Sequence, residues 1–260
     1  MPKRDDTAGK GRFATLRRRF KEWFEPVWEG VMQMIMPPRC IVCGCALVSG
    51  ERFFCTACRY RIPLTGFWLN DDNAMAEHVR QYIPVRHAAA MFYFVEGSNW
   101  RSFVHKIKYN DKWAYARKAG YWFGAEIERG GLFGDVDVII PVPLHWIKQM
   151  RRGYNQSEHL AAGLSGALRL PCDFRAVRRL RNNPSQTQQH QEQRWNNVEG
   201  IFAVRHPERL RGRHILLVDD VFTTGATIVS CARAILDACG GDVEISIATL
   251  AISGRFFNES

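Results

Sequence analysis

The sequence predicts an α/β fold in which a buried parallel sheet is flanked by helices, with a small cysteine-rich domain before it. Short, nearly continuous apolar runs alternate with helix-patterned stretches in the second half of the chain, which is typical of βαβ units. The 260 residues suffice for one standard domain with an appendage. Two closely spaced cysteine pairs lie between residues 37 and 66, where we expect that appendage.

The chain is basic, with a formal net charge of +10 and an isoelectric point near 9.4. Such a balance suits a polyanionic partner, such as nucleic acid, a phosphorylated ligand or an anionic membrane surface. The chain begins MPKRDDTAGKGR, without the apolar run of a signal peptide. No stretch reaches the roughly 18 uninterrupted apolar residues of a membrane span. We therefore expect a cytoplasmic protein without a transmembrane segment.

The amino-terminal segment is polar and basic over residues 1–12, which we expect to be disordered. Over residues 13–36 apolar positions recur every three or four residues, which predicts an amphipathic helix that Pro26 breaks or kinks. Basic residues lie among these positions, so two interpretations remain open. The helix binds a membrane or nucleic acid, or it packs its apolar face on the rest of the protein.

Two CxxC pairs predict a structural zinc site in a domain over residues 37–66. Cys40 and Cys43 form the first pair, and Cys55 and Cys58 form the second after eleven intervening residues. Each pair presents two thiolates from one turn, and two pairs complete a tetrahedral four-sulfur set. Cys45 could compete as a ligand, although its spacing from Cys43 is shorter than the usual turn. The alternatives are a redox pair or buried thiols.

The main domain is expected over residues 80–255. Strands are expected over residues 86–95, 136–142, 174–180, 215–218 and 243–251, and helical stretches over residues 98–128, 157–170 and 226–239. Aromatic and basic residues are interleaved over residues 98–128, which leaves open either stacking on single-stranded nucleic acid or ordinary core packing. Cys172, Cys231 and Cys239 lie in apolar surroundings and are expected in the core.

The stretch ILLVDDVFTTGAT, residues 215–227, places two acids at the carboxyl end of an expected buried strand. In parallel sheets ligands bind beyond such ends. Asp219 and Asp220 can accept hydrogen bonds from the vicinal hydroxyls of a ribose and help hold a divalent cation. The turn that follows offers hydroxyls and free N–H groups to a phosphate at a helix start. It consists of Thr223, Thr224, Gly225, Ala226 and Thr227. A capped strand-turn-helix without a ligand is the alternative.

This stretch resembles the phosphoribosyl diphosphate (PRPP) loop of type I phosphoribosyltransferases, which has four apolar residues, two acids, two apolar residues and a turn rich in threonine and glycine. The resemblance implies that Asp219 and Asp220 bind the ribose hydroxyls, that residues 223–227 bind the 5-phosphate and that Mg²⁺ accompanies PRPP. Type I enzymes also have a pyrophosphate loop after an earlier strand. Residues 141–145 with the loop over residues 151–153 are placed for it.

Cations near the expected pyrophosphate loop would neutralise the departing pyrophosphate in phosphoribosyl transfer. Arg151 is expected to contact PRPP, and Arg152 and then Arg194 are the candidate catalytic residues. The alternative for any single arginine is a solvated or structural cation. No residue indicates a general base, so the acceptor could be a nucleobase, an amine or none.

Over nearly its whole length the chain resembles the ComF (competence protein F) family. The features that carry this resemblance are the cysteine pairs after a proline, Lys108-Tyr109, PVPL at residues 141–144, RGYNQ at residues 152–156, Gln186, Arg194, Asn197-Val198, Gly200, Phe202 and the acid-acid loop. The sequence departs from the family in its glutamine-rich loop, residues 182–193, where Gln189 replaces the more usual leucine. Cys45 and the long basic start are additional.

The ComF resemblance implies two functions from different classes. One is a magnesium-dependent phosphoribosyltransferase with an unidentified acceptor. The other is a non-enzymatic adaptor that meets single-stranded DNA and the DNA-uptake helicase, with a sensory or inherited PRPP pocket. The net charge of +10 favours the adaptor. The intact acid pair and phosphate turn favour retained binding of a phosphoribosyl compound.

Overall fold

The structure is a computed structural model, and it describes residues 37–51, 53–94, 99–108, 113–181 and 200–253. The chain divides into two compact units, residues 1–60 and 61–260. The expected disordered start, the amphipathic helix over residues 13–36 and the whole glutamine-rich loop lie outside the described residues.

The helices and strands have the following bounds. In the first unit the helix Thr56–Tyr60 is α1. In the second unit the helices are Ala74–Arg80 (α2), Asn99–Lys108 (α3), Trp113–Gly130 (α4), Trp146–Arg152 (α5), Gln156–Leu168 (α6) and Ala226–Cys239 (α7). Its strands are Ala88–Phe94 (β1), Val138–Pro141 (β2), Val177–Arg179 (β3), Phe202–Val204 (β4), His214–Phe222 (β5) and Glu244–Ser253 (β6). Short 3₁₀ turns cover Phe67–Leu69 and Pro207–Arg209.

Four strands form the expected parallel sheet, in the order β1-β6-β5-β2. The apolar residues of β5, Ile215 to Val218, are completely buried. This explains why their sequence is an unbroken apolar run rather than an alternating one. Helices connect the strands, so the prediction of an α/β fold with a parallel sheet is confirmed.

The expected strand over residues 174–180 does not join this sheet. Only Val177–Arg179 is extended, and it pairs antiparallel with β4 in a separate two-stranded sheet. Its side chains alternate between buried Val177, exposed Arg178 and half-buried Arg179. A strand with one polar face cannot occupy the interior of a sheet that is covered on both sides.

A helix replaces part of the loop that was expected between β2 and α6. His145 caps the start of α5, because its side chain accepts a hydrogen bond from the Ile147 N–H. Gly153 ends the helix in the left-handed conformation at φ 84°, and its N–H bonds to the Gln149 carbonyl. Arg151 and Arg152 are therefore the last residues of a helix, and the expectation of a loop at these positions is wrong.

Two glycines allow a close crossing of α4 and α6. A Cβ atom on Gly120 would lie 2.1 Å from the Leu160 carbonyl oxygen, and one on Gly163 would lie 2.1 Å from the Arg117 carbonyl oxygen. No side chain fits at such distances, so the backbones touch directly. This contact fixes α6, whose first turn reaches the candidate site.

The segment before β1 belongs to the second unit and contacts β1. The Thr65 hydroxyl donates to the Ala90 carbonyl at 2.5 Å, and the Tyr93 N–H donates to the Pro63 carbonyl at 2.8 Å. Residues 61–66, which we expected in the cysteine-rich domain, thus contact β1. Within the part of the chain that the structure describes, no helix has the length and apolar character needed to cross a membrane.

Candidate functional site

The acid pair lies inside β5 rather than after it, because this strand continues to Phe222. On one side β5 pairs with β6 as far as Phe222 and Ile252. On the other side the ladder with β2 ends at Pro141 and Val218, followed by one hydrogen bond from the Val142 N–H to the Val218 carbonyl. One edge of β5 is therefore open where the acids lie, and this edge forms a crevice.

The carboxylate of Asp219 is held by two donors. The Ser157 hydroxyl donates to Asp219 Oδ1 at 2.8 Å, and the Asp220 N–H donates to the same atom at 2.8 Å. The carboxylate of Asp220 accepts the Val221 N–H at 2.7 Å. These hydrogen bonds orient both side chains, which remain half-buried at the edge of the crevice.

The start of α6 forms the opposite wall. Asn155 caps the helix by accepting the Ser157 N–H, and its amide donates to the Val142 carbonyl at 3.2 Å. Asn155, Gln156 and Ser157 are all less than 5% exposed. The NQ pair of the sequence motif thus ties the end of β2 to α6. Sequence analysis missed Ser157, which lies two residues after the cap residue Asn155 in the first turn of α6.

The turn over residues 223–227, which is expected to bind a phosphate, leads into α7. Gly225 has φ 76°, and a Cβ atom there would lie 2.6 Å from Cζ of Phe222. Only glycine satisfies both constraints. The Thr224 hydroxyl accepts the Ala226 N–H at 3.4 Å, and the Thr224 carbonyl lies 3.3 Å from Nε2 of His78. The turn therefore exposes the start of a fourteen-residue helix to the crevice.

Arg179 is a site residue that sequence analysis missed. Its guanidinium lies over the Phe202 ring, 5.4 Å from the ring centroid, and its Nε donates to the Arg181 carbonyl. Burial lowers the pKa of Arg179, and the charge of nearby Asp219 opposes this shift. No local pattern indicates this residue, because only the pairing of β3 with β4 brings it to the crevice.

These walls enclose a cavity of about 300 Å³. Among the predicted residues, those lining it are Asp219, Asp220, Thr223, Gly225, Ala226 and Thr227. Ser157, Arg179 and Thr249 line it as well. Thr224 lies in the turn without lining the cavity. Arg151 and Arg152 end α5, and Arg194 lies outside the described residues.

The chemistry of the cavity is that of a site for a sugar phosphate. It combines two oriented carboxylates, a half-buried cation and the N-terminus of a long helix. Carboxylates bind hydroxyls or a divalent cation, whereas the helix start and the arginine attract phosphate.

The cysteines of the first unit converge, as expected for a metal site. The sulfur atoms of Cys40, Cys43, Cys45 and Cys55 all lie within 4.8 Å of one another. Cys43 Sγ lies 3.6 Å from Cys55 Sγ, and a tetrahedral zinc site with Zn–S bonds of about 2.3 Å has edges of about 3.8 Å. The donor set therefore fits zinc, and the prediction of a cysteine cluster in this part of the chain is confirmed, although the four mutually close sulfur atoms include Cys45 instead of the predicted Cys58.

Cys58 lies beside the same group. Its N–H points to Cys55 Sγ at 3.4 Å, a contact formed within the second CxxC turn. Burial, Cys43, Cys55 and Cys40 all raise the pKa of the Cys58 thiol. Backbone and side-chain contacts with Cys45 lower the pKa of Cys43 to about 6 against an opposing effect of burial. Cys58 thus lies next to the group of four mutually close thiols without being part of it.

The remaining cysteines lie apart in the second unit. Cys231 and Cys239 are buried as expected, whereas Cys172 is only half-buried. Its backbone forms an isolated bridge with Ile139 at the side of β2. This places it at the border of the core rather than within it.

A second group with metal-ligand chemistry lies at the opposite end of the sheet. Asp135, His214 and Glu244 offer atoms within 4.8 Å of one another. However, Arg86 pairs with Asp135 at 2.5 Å and also with Glu244. Both carboxylates are therefore already paired with one guanidinium, and the group is best described as an ion-pair network around a buried histidine.

Comparisons with known proteins agree with this geometry. Residues 147–255 match the family model of the phosphoribosyl transferase domain. The chain is 37% identical over 109 residues to the DNA utilization protein YhgH of Shigella flexneri, covering 42% of this chain and 47% of that protein. It is 37% identical over 93 residues to competence protein F of Haemophilus influenzae, covering 35% and 41%. It is 34% identical over 113 residues to competence protein ComFC of Bacillus subtilis, covering 44% and 43%. Each match spans less than half the length of the relative.

Solved structures with similarity to the chain include adenine phosphoribosyltransferase, with a TM-score of 0.38 and 12% identity over 61% of this chain and 78% of that chain. Another is glutamine phosphoribosylpyrophosphate amidotransferase from B. subtilis complexed with ADP and GMP, with a TM-score of 0.35 and 21% identity over 52% and 26%.

The match to the phosphoribosyl transferase domain falls within the second unit, and β5 with its acid pair lies within the matched residues. The chain is a phosphoribosyltransferase-like protein with an amino-terminal cysteine cluster. The relatives named competence protein F and ComFC confirm its resemblance to the ComF family.

Proposed function

We propose that the second unit binds PRPP or another ribose 5-phosphate compound together with Mg²⁺. The observation that supports this most directly is the joint presence of the acid pair and the phosphate turn in one cavity. Asp219 and Asp220 accept hydrogen bonds from the two ribose hydroxyls. The Ser157 hydroxyl keeps the Asp219 carboxylate in place for this role.

The 5-phosphate binds to the turn over residues 223–227. The first N–H groups of α7 have no partner within their own helix, and the helix dipole favours an anion there. Glycine at position 225 makes this turn possible, because the backbone there is left-handed and a Cβ atom would clash with the Phe222 ring.

Bound Mg²⁺ supplies charge neutralisation at the pyrophosphate, since Mg²⁺ prefers one or two carboxylates together with substrate phosphates. Arg179 lines the cavity and provides a cation near Asp219. Arg151 is proposed to contact PRPP, and Arg152 and Arg194 are proposed to stabilise the leaving pyrophosphate during transfer to an acceptor.

Zinc is proposed as the structural metal of the first unit. A four-thiolate site is closed, so its role is to hold the fold of residues 37–60 rather than to catalyse. The two CxxC turns supply the ligands, as the sequence predicts.

Calorimetric titration of PRPP with Mg²⁺ into the purified chain tests the ribose phosphate site. We expect binding by the parent and none by the double variant Asp219→Asn, Asp220→Asn. The matched control is Asp237→Asn, Asp242→Asn, which removes two exposed carboxylates that do not line the cavity. A folded parent that shows no heat of binding would disprove the proposal. Binding would justify a screen of acceptors for transfer.

A second function is proposed in DNA uptake, in which the chain binds single-stranded DNA and works with the uptake helicase. The relatives named for competence and DNA utilization favour it, as does the net charge of +10. On α5, Trp146 is 61% exposed and Met150 is 76% exposed, and two arginines follow in the sequence. An exposed ring beside basic residues is suited to stack on an unpaired base.

Binding of a fluorescent single strand at several salt concentrations tests this second function. Affinity should fall steeply with salt and should decrease in Trp146→Ala. The control Tyr60→Ala removes an aromatic ring that is 91% exposed and lies in the first unit. If the Asp219→Asn, Asp220→Asn variant binds DNA like the parent, the adaptor function is independent of the cavity.

A further inference from the structure

The zinc site proposed above has more thiols around it than a tetrahedral ion can bind. The group whose sulfur atoms lie mutually within 4.8 Å contains Cys45 and not Cys58. The sequence pattern of two CxxC pairs, in contrast, selects Cys58. Cys40, Cys43 and Cys55 belong to both sets, so the fourth position has two candidates.

We propose that Cys45 and Cys58 exchange as the fourth zinc ligand, so that the site is a five-thiol site with a built-in ligand for zinc transfer. This inference rests on the proposed zinc site and extends it. The other three ligands stay in place during the exchange. Cys45 and Cys43 are exposed, whereas Cys58 is buried at 8% exposure. The zinc ion can therefore be approached from the solvent side by a thiol of the protein itself.

The backbone explains how Cys45 reaches the metal despite its short spacing from Cys43. Gly44, between them, has φ 80° and adopts the left-handed conformation. The Gly44 N–H donates to the Cys40 carbonyl at 2.8 Å, and the Cys40 N–H donates to the Cys45 carbonyl at 2.8 Å. This reversal folds Cys45 back over Cys40. As a result Cys45 Sγ lies 3.3 Å from Cys43 Sγ.

The space around Gly44 indicates that conformation, rather than crowding, requires glycine there. A Cβ atom on this residue would meet nothing within 4 Å. An L-residue at φ 80° is nevertheless strained. Glycine at this position therefore serves the turn that places Cys45 among the other sulfurs.

The exchange is balanced without any oxidant. Cys45 binds zinc as a thiolate and releases its proton, whereas Cys58 leaves zinc as a thiolate and takes one proton up. The ion keeps four thiolates before and after the exchange. The thiolate of Cys45 can bind zinc before Cys58 leaves, which is an associative route that a closed four-cysteine site lacks. Zinc should therefore transfer to an external chelator faster than it would from a site with only four cysteines.

The test uses the full-length chain with Cys45→Ser, Cys58→Ser, and Cys172→Ser as a control that removes a thiol from the other unit. Zinc content and the thiolate-to-cobalt absorption of the cobalt-substituted protein report how many thiolates bind. We expect both single variants to hold one metal ion with the four-thiolate spectrum of the parent. We also expect zinc transfer to a chromogenic chelator to be several-fold slower in Cys45→Ser than in the parent and in Cys172→Ser.

Two results would overturn the inference and can be told apart. If Cys58→Ser shows a three-thiolate spectrum while Cys45→Ser matches the parent in spectrum and transfer rate, then Cys45 is not a ligand and the zinc site stands. If the parent contains no zinc and binds no cobalt, the zinc site itself fails.

Discussion

The hydroxyl of Ser157 donates a 2.8 Å hydrogen bond to Oδ1 of Asp219, which joins the first turn of α6 to the acid pair of β5. The two residues are 62 positions apart in the sequence. Because of this contact, the start of α6 and the acid pair of β5 should move together. It is also the contact that we would remove first.

Ser157→Ala should weaken PRPP binding about tenfold, because a hydrogen bond to a charged group contributes about 1.5 kcal/mol or more. The matched control is Ser165→Ala on the same helix, whose hydroxyl donates instead to the Leu170 carbonyl at 2.6 Å. Calorimetry with PRPP and Mg²⁺ measures both. Equal affinities of Ser157→Ala and the parent would show that Asp219 needs no support from this hydroxyl.

Arg179→Gln should weaken PRPP binding by roughly tenfold or more, because the ligand loses a half-buried cation that faces the cavity. Arg178→Gln is the control, since this preceding residue of β3 is exposed to solvent. The same titration, repeated at two salt concentrations, separates a direct contact from a diffuse charge effect. Equal losses in the two variants would assign the effect to net charge alone.

Gly225→Ala should destabilise the protein by about 3 kcal/mol, because it combines a left-handed backbone with a clash against Phe222. Gly240→Ala, at the other end of α7, has φ 68° and no atom within 4 Å of the added Cβ. Its loss should be only about 1 kcal/mol. Urea unfolding measures both variants. A loss that is no larger in Gly225→Ala would refute the clash.

Stability should fall as the pH drops below about 6.5, because His214 is buried and kept neutral in the folded protein. Its side chain lies 2.8 Å from the Ser246 hydroxyl and 3.1 Å from Oδ1 of Asp135. Burial lowers the pKa of His214 although Asp135 opposes this shift, with Arg86 lowering the pKa and Glu244 raising it. The unfolded chain therefore binds the proton first, and the stability is lost between the unfolded and the folded pKa.

Urea unfolding at pH 7.5 and pH 5.5 measures this pH dependence. His214→Gln should reduce it, and the slope that one such proton contributes is at most about 1.4 kcal/mol per pH unit. His206→Asn, an exposed histidine with a 64% exposed side chain, is the control and should leave the dependence unchanged. A parent whose stability is constant over this range would contradict the buried neutral histidine.

Removal of zinc with a chelator should unfold residues 37–60 and leave the second unit largely intact, because a four-thiolate site supplies folding free energy to a small domain. Hydrogen exchange followed by mass spectrometry reads both units in one experiment. Peptides from β5 and β6 should keep their protection. Purified protein with no zinc and four oxidised thiols would end this prediction.

The sequence was informative where the pattern is local. Short, nearly continuous apolar runs identified β2 and β5, and the motif of two acids and a glycine turn identified the crevice. The length of β5 was underestimated because Asp219 and Asp220 interrupt the apolar run, although only one edge of the strand is open there.

Two other differences between the sequence prediction and the structure share one physical cause, since they depend on partners distant in sequence. The pattern of residues 174–180 predicts a strand, but it could not show that this strand pairs with β4 instead of joining the parallel sheet beside β2. Arg179 has no signal of its own for the same reason. Cys45 was set aside on spacing alone, which could not show that Gly44 reverses the chain.

The close crossing of α4 and α6 has a consequence for the interpretation of mutant alleles. Gly120 and Gly163 do not line the cavity, yet any larger residue at either position would push α6 away and carry Ser157 with it. In a genetic screen for loss of ligand binding, such alleles would score with those of Asp219. Because these positions lie outside the cavity, the alleles would suggest a second binding site, although they act by displacing α6.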